Sequence, residues 1–229
     1  MIESVNVIGA RGRVGSAVTA RLAERGIPLR EAEAAIVLLC VPDHAITEVA
    51  SAIEPGPWLA HVSGGTPLAA LDPHGRRFSL HPLQTFSRDR GPEQLDGAWA
   101  AVTGETEEAR AVANELAAVL GLRPFPLADD RRALYHAGAA IASNYLVTLQ
   151  RAAGELLAEA DVPSEVLVPL MRRVIDNGFQ LTGPIERGDW ETVERHRAAI
   201  ADTAPHLLAA YDELARLTAG DTVSLGGRA

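Results

Sequence analysis

The sequence has no lysine: all 21 of its Lys+Arg residues are arginines. That excludes Schiff-base chemistry, a Walker-type phosphate lysine and a lysine general acid. Acid–base chemistry must therefore come from His, Asp, Glu, Ser, Tyr or Arg. There is one cysteine, Cys40, so an intrachain disulfide and a cysteine-rich metal site are excluded. Cys40 sits within an apolar run, where a thiol reads as a small hydrophobe. His44, His74 and His206 are scattered without ligand spacing, and no metal site is expected. No apolar run approaches the roughly 18 residues that a membrane span needs. Met1 leads straight into a strand-like pattern with no basic leader. The expectation is a cytoplasmic protein with no membrane partner. Basic residues are also in deficit: 21 against 30 acidic ones give a net charge of −9. Such a chain repels phosphate backbones, which argues against nucleic acid as a partner.

What is present is ordinary globular material. Of 229 residues, 47% are hydrophobic and 22% charged, and a chain of this length buries roughly 70% of its unfolded surface. Short β-branched or apolar runs alternate with helical spacing through the first half. Strands are expected over 4–8, 36–41, 58–62, 78–80, 98–102 and 123–127, with helices over 13–25, 43–53 and 105–120. Alternation of this kind predicts an α/β, Rossmann-like, mostly parallel sheet covered on both faces. Beyond Asp129 no strand is evident. Helical segments over about 130–160, 164–181 and 189–217 predict an all-α C-terminal domain, with a Gly-rich tail from Gly220. The expected domains are residues 1–128 and 129–229.

The first strand runs into Gly9-Ala10-Arg11-Gly12-Arg13-Val14-Gly15, which opens a helix. Glycines there permit a tight turn and let backbone N–H groups approach a pyrophosphate. The spacing, G-x-x-G-x-x-G, is one residue longer than usual in its first step. The segment that follows is short: between Arg30 and Ile36 only Glu31 to Ala35 remain, whereas a parallel crossover needs about a dozen residues. The second crossover is therefore expected to be missing or collapsed. Arg30 could meet a 2′-phosphate and Glu31 a ribose hydroxyl, or either could be a solvated charge.

Three polar segments carry further candidates. His61, Ser63, Gly64 and Gly65 leave one strand end, and the His81 segment leaves another. Ligands of open α/β sheets bind at such ends. In the helical half, His136, Ala140, Ser143 and Val147 share a face at 100° per residue, with Asn144 beside it. His136 could protonate a carbonyl oxygen and Asn144 orient the substrate, or His136 could be a core histidine among small packing residues. Asp189 reads as a helix cap, and Arg187 could hold a carboxylate with its planar fork.

The glycine loop, IVLLCVPD, HVSGG, HPLQTF, YHAGAAIASNYL and GPIERGD together resemble the Rossmann-like family with an uncharacterised C-terminal domain, in the 6-phosphogluconate dehydrogenase superfamily. The resemblance runs in order along nearly the whole chain. More distantly, HPLQTF is similar to a segment of prephenate dehydrogenases, and some relatives are thought to reduce ketopantoate. The resemblance implies an NAD(P)-binding domain, a helical dimer-forming domain and hydride transfer on small hydroxy or keto acids. It gives Gly9, Gly12 and Gly15 to the pyrophosphate, with Arg11, Arg13 and Arg30 near phosphates. On that resemblance Ser63, His81 and Arg187 would line the substrate cleft, with His136 as the expected proton donor and Asn144 as the expected orienting residue. NADP is the expected cofactor, with NAD possible and loss of binding also open. Many superfamily members carry a catalytic lysine four residues before that asparagine, where this chain has Ala140. The leading reading is thus an NAD(P)-dependent oxidoreductase forming a homodimer and acting on a small carboxylate. The alternatives are a non-catalytic dimeric scaffold that has lost its cofactor and a nucleotide-sensing regulator.

Overall fold

Ile36–Leu39 form strand β2, and all four residues are buried. Successive side chains leave a strand on opposite faces. Ile36 and Leu38 pack with Val18, Leu22, Phe78 and Leu116, while Val37 and Leu39 pack with Ile46, Leu59, Leu68 and Leu71. The continuous apolar run in the sequence is the mark of this two-sided cover. The other strands are β1 (Val5–Ile8), β3 (Trp58–His61), β4 (Arg77–Pro82), β5 (Trp99–Thr103) and β6 (Arg123–Pro126). They form one sheet in the order β1-β2-β3-β4-β5-β6. Every neighbouring pair is parallel except β4–β5. Helices α1 (Arg13–Glu24) and α3 (Glu107–Leu120) feed the first cluster, and the short α2 (Ile46–Ser51) feeds the second. Helix α3 starts where Thr106 Oγ1 accepts from the Ala109 N–H at 3.1 Å and stops at Gly121, which is left-handed at φ 81°. Both are strong local signals.

This computed structural model describes residues 2–220, so the tail beyond Gly220 lies outside the described residues. The chain divides into two compact units, Met1–Ser143 and Asn144–Ala229. The division falls beyond helix α4 (Arg132–Ala140), which is grouped with the sheet.

The second crossover is reduced to one bridge, Val5 to Leu29. The Val5 N–H donates to the Pro28 carbonyl at 3.0 Å, and the Arg30 N–H donates to the Val5 carbonyl at 3.1 Å. The chain then passes beneath the N-terminal end of β1, where the Ala35 N–H donates to Ser4 Oγ at 3.1 Å. Five residues suffice because the bridge and the start of β2 both pair with Val5, at the same end of the sheet. A full parallel strand would end at the far edge and need a long return.

In the register, Ile8 pairs with Leu39, Leu39 with His61, and His61 with Ser79. The carboxyl ends of β1 to β4 therefore share one edge. The glycine loop, the Ser63–Gly65 turn and His81 all leave from it.

The second unit is helical: α5 (Leu146–Ala158), α6 (Leu167–Asp176), α7 (Trp190–Thr203) and α8 (Leu208–Ala219). The single helix expected over 189–217 is two, because Pro205 has no N–H to continue the ladder. Arg197 and Asp212 join α7 to α8 at 2.7 Å, and His196 and Tyr211 add a hydrogen bond at 2.9 Å. Helices α5 and α6 contain no buried residue. Several of their apolar side chains, among them Leu149, Val168, Leu170, Val174 and Ile175, are exposed.

Candidate functional site

The glycine loop is shaped by contact. Gly9 has φ 90°, and a Cβ there would lie 2.4 Å from the Cys40 carbonyl oxygen. A Cβ on Gly15 would lie 2.2 Å from the Gly9 carbonyl oxygen. Only glycine meets both conditions. Gly12 donates its N–H to Gly9 at 2.8 Å and caps α1 with no side chain, and no acidic residue stands in the first turn. The helix therefore opens with free N–H groups and an unneutralised positive end. Arg11 and Arg13 are exposed beside it and form no ion pair among the described residues. Arg30 is exposed after the residual bridge, likewise without an ion pair.

The second constellation gathers around Gly64 and Gly65. A Cβ on Gly64 would come within 2.8 Å of His136 Cδ2 and 2.9 Å of His81 Nε2. One on Gly65 would stand 3.1 Å from His136 Nδ1. The two glycines thus make room for two imidazoles, whose centroids are 6.1 Å apart at 88°. Ser63 folds the turn: its Oγ accepts from the Thr66 N–H at 3.0 Å and the Gly65 N–H at 3.3 Å, and it pairs with Thr66 Oγ1 at 2.9 Å. Tyr135 places its hydroxyl 2.7 Å from His81 Nδ1.

Beneath the turn lies Arg132, only 1% exposed. It donates to the Ser63 carbonyl and, at 2.8 Å, to Thr103 Oγ1. Among the described residues its Nε has no hydrogen bond, and its one ion-pair partner, Asp129, is 3.9 Å away. Asp129 is itself engaged, accepting from the Leu68 N–H at 3.0 Å. The site is accordingly cationic at its base. Burial, with Arg132 and His81 nearby, holds His61 down at about 3. Burial, with His136 and Arg132 nearby, lowers His81 to about 4, with Asp43 acting the other way. Burial pushes the Tyr135 phenol up to about 12, against the pull of Arg132. Both histidines are neutral near pH 7.

Of the residues singled out in the sequence, Ser63, His81 and His136 come together here. His136 is exposed and is not a core histidine. Gly9, Gly12 and Gly15 form the neighbouring loop on the same sheet edge. Asn144 and Arg187 belong to the second unit. Asn144 is exposed within a π-helical turn, Ile141–Tyr145. That wider turn breaks the 100° phase, so a face drawn from His136 does not extend through it. The Arg187 guanidinium donates to the Thr182 carbonyl, and Asp189 caps α7 by accepting from the Thr192 N–H at 3.1 Å.

Sequence reasoning passed over Arg132, Tyr135 and Thr103. Arg132 reads as a charge in a helical first turn, and nothing local signals its burial. Tyr135 stands next to His136, and a buried tyrosine usually seeks a partner for its hydroxyl; that was the available signal.

Comparison with known proteins places these features in a wider set. The model of the family described as Domain of unknown function (DUF2520) matches residues 98–218, more than half of the chain. A comparison with curated proteins gives no match. Among solved structures, a Bacteroides fragilis protein assigned as an NADP oxidoreductase is 20% identical at a TM-score of 0.78, covering 96% of this chain and 99% of that one. A Thermotoga maritima protein is 26% identical at 0.74, covering 93% and 96%. A reductive aminase of Aspergillus terreus, solved with NADPH and ethyl levulinate, is 20% identical at 0.64, covering 95% and 94%.

Proposed function

The chain belongs to the DUF2520 family, and from that premise we propose an NAD(P)-dependent oxidoreductase acting on a small hydroxy or keto carboxylic acid. The observation that carries this is the glycine loop. Two of its three glycines are fixed by backbone contact, and it opens an uncapped helix at the carboxyl edge of a mostly parallel sheet. A dinucleotide pyrophosphate fits that donor set.

Gly9, Gly12 and Gly15 hold the pyrophosphate, and Arg11 and Arg13 neutralise it. Arg30, exposed and without an ion pair among the described residues, favours the 2′-phosphate of NADP over NAD. When bound, the nicotinamide supplies or accepts a hydride at carbon. The chain's own residues manage the oxygen. His136 is exposed and imidazole-bearing, which suits a proton donor. His81 hydrogen-bonds the reacting oxygen, and Ser63 acts through the turn it folds. The resemblance adds Asn144 as an orienting residue and Arg187 as a carboxylate partner. The exposed apolar faces of α5 and α6 support a homodimer formed through the helical unit.

Parallel calorimetric titration with NADPH and NADH tests the reading. Micromolar binding, tighter for NADPH, is expected, followed by turnover in a keto-acid screen that His136→Ala largely abolishes. Binding of neither cofactor would sink the reading. The reduced crossover at Leu29 favours one alternative, a dimeric binding protein without cofactor. Silence in both titrations from a stable dimer would support it.

A further inference from the structure

The contact between Tyr135 and His81 has a direction. The phenol oxygen lies 2.7 Å from Nδ1, and Tyr135 makes no other hydrogen bond among the described residues. A phenol O–H is a stronger donor than an imidazole N–H, and an imidazole nitrogen is a stronger acceptor than a phenol oxygen. The pair is therefore satisfied when Tyr135 donates to Nδ1, which leaves the ring proton on Nε2. Tyr135 is itself held: its ring meets His81 edge-on at 5.5 Å and Phe125 at 6.0 Å. The other edge of His81 faces Gly64, where an added Cβ would be 2.9 Å from Nε2.

We infer that Tyr135 is a positioning residue that locks His81 in the tautomer carrying its proton on Nε2, and so presents a fixed N–H donor over Gly64 to a carbonyl or hydroxyl oxygen of the substrate. The groups around His81 agree. Tyr135, His136 and Arg132 of α4 face it, with His61 on β3 and Asp43 after β2. Burial and the positive charge of His136 and Arg132 lower its affinity for a second proton, against the opposing pull of Asp43, and the ring is uncharged at neutral pH. A neutral imidazole with one fixed proton stabilises a developing oxyanion by hydrogen bonding and does not hand the proton over. The two histidines then divide the work: His81 polarises the oxygen and the exposed His136 exchanges the proton. This division rests on the reading proposed above, whereas the tautomer does not.

The test is long-range proton–nitrogen correlation NMR on the full-length, nitrogen-15-labelled protein at pH 7 without cofactor. His81→Gln assigns the ring. A single tautomer protonated at Nε2 is expected in the wild type. In Tyr135→Phe, which keeps the ring contacts, a mixture of tautomers is expected at an unchanged circular dichroism spectrum. A wild-type ring protonated at Nδ1, a wild-type mixture, or an unmoved Tyr135→Phe signal overturns the inference. If Tyr135→Phe does not fold, the wild-type tautomer decides alone. Failure of dinucleotide titration on the same samples would remove the functional reading and leave the tautomer standing. With a substrate in hand, Tyr135→Phe should lower kcat tenfold or more at unchanged cofactor Kd; an unchanged kcat would overturn the donor role.

Discussion

The guanidinium of Arg132 donates to the carbonyl oxygen of Ser63, so the turn bearing Gly64 and Gly65 hangs on a cation almost out of reach of water. Replacing it by methionine keeps the volume and removes the donors. The Ser63 carbonyl would lose its Arg132 donor, and a buried unpaired group costs about 1–3 kcal/mol, whereas the Thr103 hydroxyl keeps its bond to the Leu127 carbonyl. Arg132→Met should lose about 1–3 kcal/mol in urea unfolding. A variant as stable as the wild type would show that these bonds contribute nothing net.

Acid should weaken the fold through His61 and His81. Their usual value is near 6.5, but in the folded chain they titrate at about 3 and about 4. Below pH 6.5 the unfolded chain therefore binds more protons than the folded one. Stability is then full above that pH and falls as the pH drops towards 4 and then 3, at up to about 1.4 kcal/mol per pH unit for each ring. Denaturant midpoints between pH 7 and 4 would record this. His61→Gln should flatten the curve, and an unchanged slope would contradict the assignment.

The glycines of the loop should separate by role. Gly9→Ala and Gly15→Ala force a Cβ against backbone, and a loss of about 2 kcal/mol or more is expected from such strain. At Gly12 the added Cβ would sit 3.1 Å from the Gly9 oxygen, which small shifts can relieve. Gly12→Ala should fold normally yet bind NADPH at least tenfold more weakly. Wild-type affinity in that variant would remove the pyrophosphate from this loop.

The apolar faces of the helical unit can be tested by mass. Light scattering at micromolar concentration should give a dimer. Leu170→Glu, placing a charge on a side chain that is 60% exposed on α6, should give a monomer. A wild-type monomer would dispose of the dimer.

Periodicity and chemistry made much of this legible. The apolar run at Ile36 foretold a strand covered on both faces, and the short Glu31–Ala35 gap foretold the collapsed crossover. The glycine loop was visible because each contact constraint leaves a glycine. What escaped was set by tertiary placement. Arg132 is buried because the fold brings it against the Ser63 carbonyl and Thr103, both distant from it in sequence. The π-helical turn at Ile141–Tyr145 has no single-residue signature, and it upset the helical phase used to relate His136 and Asn144. The break at Pro205 was written in the sequence, but the apolar spacing continues across it.

With the second crossover reduced to the bridge at Leu29, strand order in the sheet is simply chain order. A doubly wound sheet of the usual kind begins in its middle and must later build outward on both sides. Here each strand finds the preceding one already beside it, so no pairing waits for a distant segment to be made. Fewer long loops need closing before contacts compensate for them, and contacts local in sequence go with fast folding. The sheet can zip from β1 to β6 as the chain emerges from synthesis.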